Sequence, residues 1–223
     1  LVVDEQRVHA ADAEGAGEMF KVTTLDVGKP PLTDDGHINW SEDFFGKATN
    51  LTVSGQLQGE IAAMALAKIY TFGPTFRAEK SFTPRHLAEF WMIEPEVAFF
   101  DIVDNMDLAE DFVKYLINYI LTNYKTDLEF LDKRIADAEK NMKLEDRRPM
   151  GLIEMLQFVV NNDFERITYT EAVDILLNSK PYKKGKFQFP VAWGTDLQSE
   201  HERYLVEKHF QKPVIVRDYP KVI

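Results

Sequence analysis

The sequence predicts an α+β fold in which an antiparallel sheet is flanked by helices. Residues 72–99, FGPTFRAEKSFTPRHLAEFWMIEPEVAF, have the pattern of two strands joined by a charged loop. The stretches from 56 to about 70 and from 104 to about 138 repeat apolar side chains at helical spacing. Short runs at 51, 187–193 and 213–216 read as further strands. With 223 residues, 45% hydrophobic and 12% aromatic, the chain holds enough apolar surface for one core of domain size.

In order along the chain, Asp12 to Phe20 alternates glycines with carboxylates. That predicts a sharply turning backbone with acids, Glu14 among them, at a pocket rim, or else an ordinary surface turn. Residues 26–48, rich in Pro, Gly and Asp, read as a long surface connection to which no chemistry is assigned. From Leu51 a short strand leads to Ser54, which can cap a helix running to about Tyr70 with Leu57, Ile61, Met64, Ala65 and Leu66 on its apolar side. Gln56 and Glu60, four apart, share a face of that helix. Glu60 is either an acid favoured near a helix N-terminus or an acceptor for a side-chain amide, a group a carboxylate binds while repelling another carboxylate.

On the first strand of the hairpin, Arg77 and Glu79 are two apart and so leave the same face of the pleat. The pairing suits a nucleotide: a guanidinium is a planar, permanently charged partner for phosphate, and a carboxylate accepts from an exocyclic amine. The loop adds Arg85 and His86, and the second strand opens with Phe90, an aromatic face for a base. Arg77 and Glu79 alone would equally suit a surface ion pair; five such residues on one hairpin favour the nucleotide.

Beyond it, 104–138 is one long helix or a broken pair, with Phe112, Tyr115, Leu116, Tyr119 and Ile120 as a stripe expected in the core. Residues 140–150 are a mixed-charge connection and 152–160 another helix. Thr168 and Glu171 have capping-box spacing and start a helix through Leu177. Residues 187–193 are strand-like, Asp196 to Leu205 forms an acidic amphipathic helix, and Pro213 to Val216 a short buried strand. His201-Glu202 invites a zinc-protease interpretation that fails on spacing, because position 205 is leucine.

Composition excludes several classes. Cysteine is absent, which removes disulfides and thiolate metal sites. No apolar run reaches membrane-span length, and no signal-peptide pattern opens the chain, so a cytoplasmic protein with no membrane contact is expected. The net charge of −11 opposes nonspecific attraction to nucleic acid, so any RNA contact needs a local basic surface or another domain.

The hairpin resembles the second signature motif of class II aminoacyl-tRNA synthetases, and FRAE followed by RHLAEFWMIEPE is similar to the asparaginyl branch of the aspartyl/asparaginyl subgroup. Where that branch usually reads Glu-Asn-Ser-Asn-Thr, this chain has Glu79-Lys80-Ser81-Phe82-Thr83. Asp12 to Phe20 resembles the segment after the family's first motif, although residues 1–8 do not match the strand and proline before it and that motif's long dimer helix is absent. Ser54-Gly55-Gln56-Leu57 with Glu60 also resembles the asparaginyl version.

The resemblance implies a partial catalytic domain over 1–223, with 102–165 as a helical insertion. It also implies attack of the asparagine carboxylate on the α-phosphorus of ATP, giving asparaginyl-adenylate and pyrophosphate, then transfer to tRNA(Asn). Arg77 would hold the α-phosphate, Glu79 the adenine amine, Arg85 and His86 the outer phosphates, and Phe90 the adenine ring. Arg77 and His86 would be catalytic, and Glu14, Gln56, Glu60 and Arg77 would bind the amino acid. Mg2+ is expected to accompany ATP, with its ligands and the third motif beyond residue 223. A separate N-terminal anticodon-binding barrel and a homodimer are implied for the full-length enzyme, and this chain alone is expected to be inactive. The alternatives are an aspartyl-type synthetase, an ammonia-using asparagine synthetase, or a noncatalytic paralogue that binds an amino acid or adenylate.

Overall fold

The computed structural model describes residues 2–3, 8–9, 18–80, 87–143 and 147–223. They divide into two compact units, 1–100 and 101–223.

The first unit is built on β5 (Lys68–Phe76) and β6 (Glu89–Val97), antiparallel from Lys68↔Val97 to Phe76↔Glu89. It also contains β1 (Val2–Val3), β2 (Val8–His9), β3 (Lys21–Val22), β4 (Thr49–Leu51) and α1 (Gln56–Leu66). β1 adds in parallel to β5 at Val2↔Tyr70. In the second sheet β4 lies between β2 and β3, antiparallel to both. The expected hairpin is therefore present, and strand also occurs at Val2–Val3, within residues 1–8 where the family pattern failed to match, and at Val8–His9.

The end of the first helix differs from expectation. α1 stops at Leu66 rather than near Tyr70, because Ala67 turns to φ 65° while its N–H bonds Ala63 O at 2.8 Å. The β-branched and aromatic run Ile69-Tyr70-Thr71-Phe72 then enters β5, which suits a pleated surface better than a helix.

The packed face of α1 is also not the expected one. Leu57, Ile61, Met64, Ala65 and Leu66 are exposed, Ile61 by 75%, whereas Gly59 and Ala63 are buried. A Cβ at position 59 would lie 3.1 Å from Glu96 Cγ and 3.2 Å from Thr71 Cγ2. Close approach of the helix to the hairpin thus selects its smallest residues, and size outweighs hydrophobicity there.

Residues 26–48 form turns, a Leu32↔Ile38 bridge and a single 3-10 turn at Trp40–Glu42. The buried Asp43 carboxylate anchors this connection by accepting from the Thr23 hydroxyl and from the Thr24 and Phe45 amides.

The second unit contains α2 (Ile102–Asn123), α3 (Lys125–Glu139), α4 (Leu152–Asn161), β7 (Glu165–Thr168) and α5 (Tyr169–Asn178). These are followed by α6 (Lys180–Lys183), α7 (Ser199–Tyr204), a π-helical turn at Leu205–Phe210, and β8 (Val214–Arg217). The 104–138 region is the broken pair, interrupted where Tyr124 leaves helical geometry at φ −123°, ψ 41°. The stripe expected in the core is mostly surface: Tyr115 is 66% exposed, and Leu116, Tyr119 and Ile120 are exposed too. α2 buries Met106 and Glu110 instead, because a carboxylate network holds that side.

The capping box starts α5 as expected, with Glu171 N donating to Thr168 Oγ1 at 3.2 Å and Thr168 N to Glu171 Oε2 at 2.7 Å. The core gathers around Tyr169, Val173, Leu176 and Leu205. β7, which the sequence did not suggest, pairs in parallel with β8 from Glu165↔Val214 to Thr168↔Arg217. β8 itself is half-buried rather than buried. Residues 187–193 are not a strand; the Gln188 and Phe189 amides bond the Glu200 carboxylate at 3.1 and 2.8 Å rather than a neighbouring strand. The acidic helix begins at Ser199, not Asp196, and His201 is fully buried within it, with Nδ1 accepting from Gln198 N at 3.1 Å. Its ring is thus spent on local structure. Among the described residues no helix is long and apolar enough to cross a membrane.

Candidate functional site

The inner face of the β5–β6 hairpin carries the residues with chemical potential. Strand alternation places Ile69, Thr71, Gly73 and Thr75 of β5 opposite Glu96, Glu94, Met92 and Phe90 of β6 on that side. Thr71, Thr75, Thr52 and Ser54 are buried there, so much of the floor beneath α1 is hydroxyl-bearing rather than aliphatic.

Glu94 organises this floor. Its Oε1 accepts from Ser54 Oγ at 2.5 Å, and its Oε2 from Gly55 N at 3.1 Å and Thr71 Oγ1 at 2.9 Å. Ser54 Oγ in turn accepts from Gln56 N at 3.0 Å, so the expected serine cap exists although Gly55 is the boundary residue. On the helix so fixed, Gln56 Nε2 donates to Glu60 Oε1 at 3.1 Å. The shared face predicted from i, i+4 spacing is therefore a direct contact.

Glu96 lies under the same helix. Burial raises its pKa, and the neighbouring Glu60 and Glu94 carboxylates raise it further. Three acids thus share one end of the face, which favours donors such as an amide NH2 or an ammonium and disfavours a carboxylate.

At the other end, Arg77 Cζ stands 5.5 Å from the centroid of the Phe90 ring. Two of the five residues expected to face a nucleotide are together, in cation–π geometry. Their placement differs in one respect, because β5 ends at Phe76 and neither Arg77 nor Glu79 is on the strand. Arg77 N still donates to Ala88 O at 3.0 Å, one rung further, but Ala78 N turns away to Glu18 O at 2.9 Å. Pleat geometry therefore holds for Arg77 and lapses before Glu79, which is exposed, as is Lys80. Glu14, Arg85, His86 and Phe82 lie outside the described residues.

Sequence reasoning missed Glu94 and Glu96. Their signal was present: counting by twos from Phe90 through Met92 reaches both acids, so all four share a face. Among the described residues no three His, Asp or Glu side chains are gathered to hold a metal ion.

The family described as tRNA synthetases class II (D, K and N) matches residues 19–223. The asparagine–tRNA ligase of Cytophaga hutchinsonii is 60% identical over 216 residues, 97% of this chain and 43% of that protein. That of Protochlamydia amoebophila is 55% identical over 100% of this chain and 44% of its own length. Among solved structures, asparaginyl-tRNA synthetase from Pyrococcus horikoshii complexed with asparaginyl-adenylate is 30% identical. It has a TM-score of 0.70, covering 99% of this chain and 40% of that one. The chain spans a little over two fifths of the length of the curated relatives it matches.

Proposed function

The chain belongs to the class II tRNA synthetases (D, K and N), and we propose that it forms part of the catalytic domain of an enzyme that activates asparagine with ATP and transfers it to tRNA(Asn). The observation that carries this reading is 60% identity to an asparagine–tRNA ligase across nearly the whole chain. The hairpin geometry supports it, with a cation over an aromatic ring at one end and a group of acids at the other.

In the reaction, an asparagine carboxylate oxygen attacks the α-phosphorus of ATP, pyrophosphate leaves, and the adenylate then passes its acyl group to a tRNA hydroxyl with release of AMP. Such chemistry rests on positioning and charge neutralisation. Arg77 neutralises charge developing on the α-phosphate and contacts the amino acid, while Phe90 stacks the adenine and Glu79 accepts from its amine. Arg85 and His86 take the outer phosphates. Gln56 contacts the amino acid, Glu14 takes its amino group, and Glu60 accepts from its side-chain amide through the oxygen that Gln56 leaves open. Mg2+ enters with ATP. Residues 102–165 form a helical insertion in this reading, and the whole enzyme works as a cytoplasmic homodimer.

The test is amino-acid-dependent ATP–pyrophosphate exchange by the full-length protein and its Glu60→Gln variant. Exchange with asparagine and not aspartate is expected. In Glu60→Gln, loss of a charge-assisted hydrogen bond should weaken asparagine use on the order of tenfold or more and relax the exclusion of aspartate. Exchange driven by aspartate alone would assign the aspartyl reaction instead. Binding of asparagine without exchange would assign a noncatalytic role. An unchanged asparagine-to-aspartate ratio in the variant would leave Glu60 as a helix residue without a part in selection.

A further inference from the structure

The chain has 37 acidic against 26 basic residues, yet no Asp or Glu occurs between Asp174 and Asp196, a stretch that holds Lys180, Lys183, Lys184 and Lys186. Local geometry keeps these four together. Ser179 caps α6, its hydroxyl accepting from Tyr182 N at 3.2 Å. Lys183 and Lys184 follow Lys180 by three and four residues, so the three are neighbours on one side of the turn. Gly185 then takes φ 60°, its N–H donating to Tyr182 O at 2.9 Å while Lys186 N donates to Pro181 O at 3.0 Å. This Schellman closure folds Lys186 back beside the helix it follows. All four lysines are exposed, and among the described residues none of them is in an ion pair. Lys114, Lys140 and Lys212, by contrast, each hold a carboxylate at 2.6–2.7 Å. Tyr182 and Phe189 are exposed on the same segment, rings on which an unpaired base can rest.

We propose that the α6 turn is a tRNA contact surface, on which Lys180, Lys183, Lys184 and Lys186 take backbone phosphates. This rests on the proposed asparagine-activating function, which makes tRNA a substrate. A chain of net charge −11 repels nucleic acid in general, and the acid-free lysine turn supplies the local basic surface such a substrate needs. Like charges at helical spacing repel, and a polyanion laid across them relieves that repulsion. Lysine is a point charge rather than a bidentate fork, so it holds phosphate without reading bases. The surface therefore contributes affinity and orientation but no identity: tRNA(Asn) and other tRNAs gain from it equally.

The experiment measures tRNA affinity by filter binding over a range of salt, for the full-length enzyme and for a variant with Lys180→Gln, Lys183→Gln, Lys184→Gln and Lys186→Gln together. Four phosphate contacts at about 0.7–0.9 each predict a log–log salt slope shallower by about three. The variant should bind tRNA(Asn) on the order of a hundredfold more weakly near about 50 mM salt and come within a few fold of the parent near about 200 mM. A noncognate tRNA should lose the same factor. Asparagine-dependent pyrophosphate exchange, which needs no tRNA, should stay within about twofold. Arginine at all four positions should restore affinity and slope. An unchanged slope, a loss confined to tRNA(Asn), or a parallel loss of exchange would overturn the proposal. So would unaltered tRNA affinity with lysine-dependent binding to phosphatidylserine vesicles, which would assign the surface to a membrane. If the glutamine variant does not fold, Lys183→Gln with Lys184→Gln decides by the same criterion, with about half the change in slope. A parent enzyme without asparagine-dependent exchange is a separate failure: it removes the functional reading, and this inference with it.

Discussion

Replacing Glu110 by alanine tests whether the second unit is held by a buried carboxylate hub. The side chain is 9% exposed and accepts from Lys114 Nζ at 2.7 Å, Phe164 N at 3.0 Å and Arg166 at 3.1 Å. Breaking a buried charge network by removing one partner costs about 3–5 kcal/mol. The lower end applies here, because Arg166 keeps Asp107 at 2.6 Å and Lys114 keeps the exposed Asp163 at 3.5 Å. About 3 kcal/mol corresponds to roughly a hundredfold loss of protection if β7 opens locally once its entry at Phe164 is released. Amide hydrogen exchange at Ile167 in the β7–β8 ladder of the full-length protein reads this directly.

The pH dependence supplies an independent arm. Burial pushes the Glu110 carboxyl up, but the bonds from Lys114, Phe164 and Arg166 together outweigh it and leave the pKa below the usual value of 4.5. A carboxyl with a depressed folded pKa contributes stability that is fully present above the unfolded value and is lost as pH falls through the folded one. After correction for intrinsic exchange, the difference between parent and Glu110→Ala should be full near neutrality and shrink below pH 4.5. Unaltered protection at Ile167 in Glu110→Ala at neutral pH would refute the hub.

In the full-length enzyme, Arg77→Ala should lower the turnover of pyrophosphate exchange on the order of a hundredfold, because a group aimed at developing charge acts mainly in the transition state. Steady-state kinetics that show only a raised KM for ATP would contradict that role. Glu96→Gln should make the protein more stable than the parent at neutral pH and alike below pH 4.5, since a raised carboxyl pKa means stability is lost as pH rises from 4.5 through the folded value. Thermal melts at the two pH values check this, and an equal shift at both would mean that charge is not the cause.

What was legible in the sequence was whatever neighbours along the chain decide. The Thr168–Glu171 box and the Gln56–Glu60 pair needed only helical spacing, and both are hydrogen bonds in the structure. The hairpin was visible because its alternation runs the full length of β5 and β6. The misses are tertiary. The buried face of α1 is chosen by clearance at Gly59 above Glu96 and Thr71, which no apolar periodicity encodes. β7 exists through a parallel ladder to β8, some fifty residues away, and its own sequence, Glu-Arg-Ile-Thr, gives no apolar run to mark it. The opposite error occurred at 187–193, where Phe187, Phe189 and Val191 alternate like a strand but the Gln188 and Phe189 amides are taken by Glu200.

The same contrast explains why the side chains proposed to act were easier to find than their supports. Arg77, Phe90, Gln56 and Glu60 announce themselves by chemical type, whereas Glu94 looks like one more acid in an acidic chain until its three donors are seen. Its neighbours then give the charge a direction. With burial first and then Glu60 and Glu94 raising the Glu96 pKa beneath the small-residue face of α1, the carboxylates repel one another, and the arrangement is relieved by a hydrogen-bond donor and worsened by an acceptor or an anion. An asparagine amide relieves it; an aspartate carboxylate does not. Under the proposed function, selection on this face comes from a repulsive field shared by Glu60, Glu94 and Glu96 as much as from a single bond. Neutralising Glu60 alone should accordingly weaken the exclusion of aspartate without abolishing it.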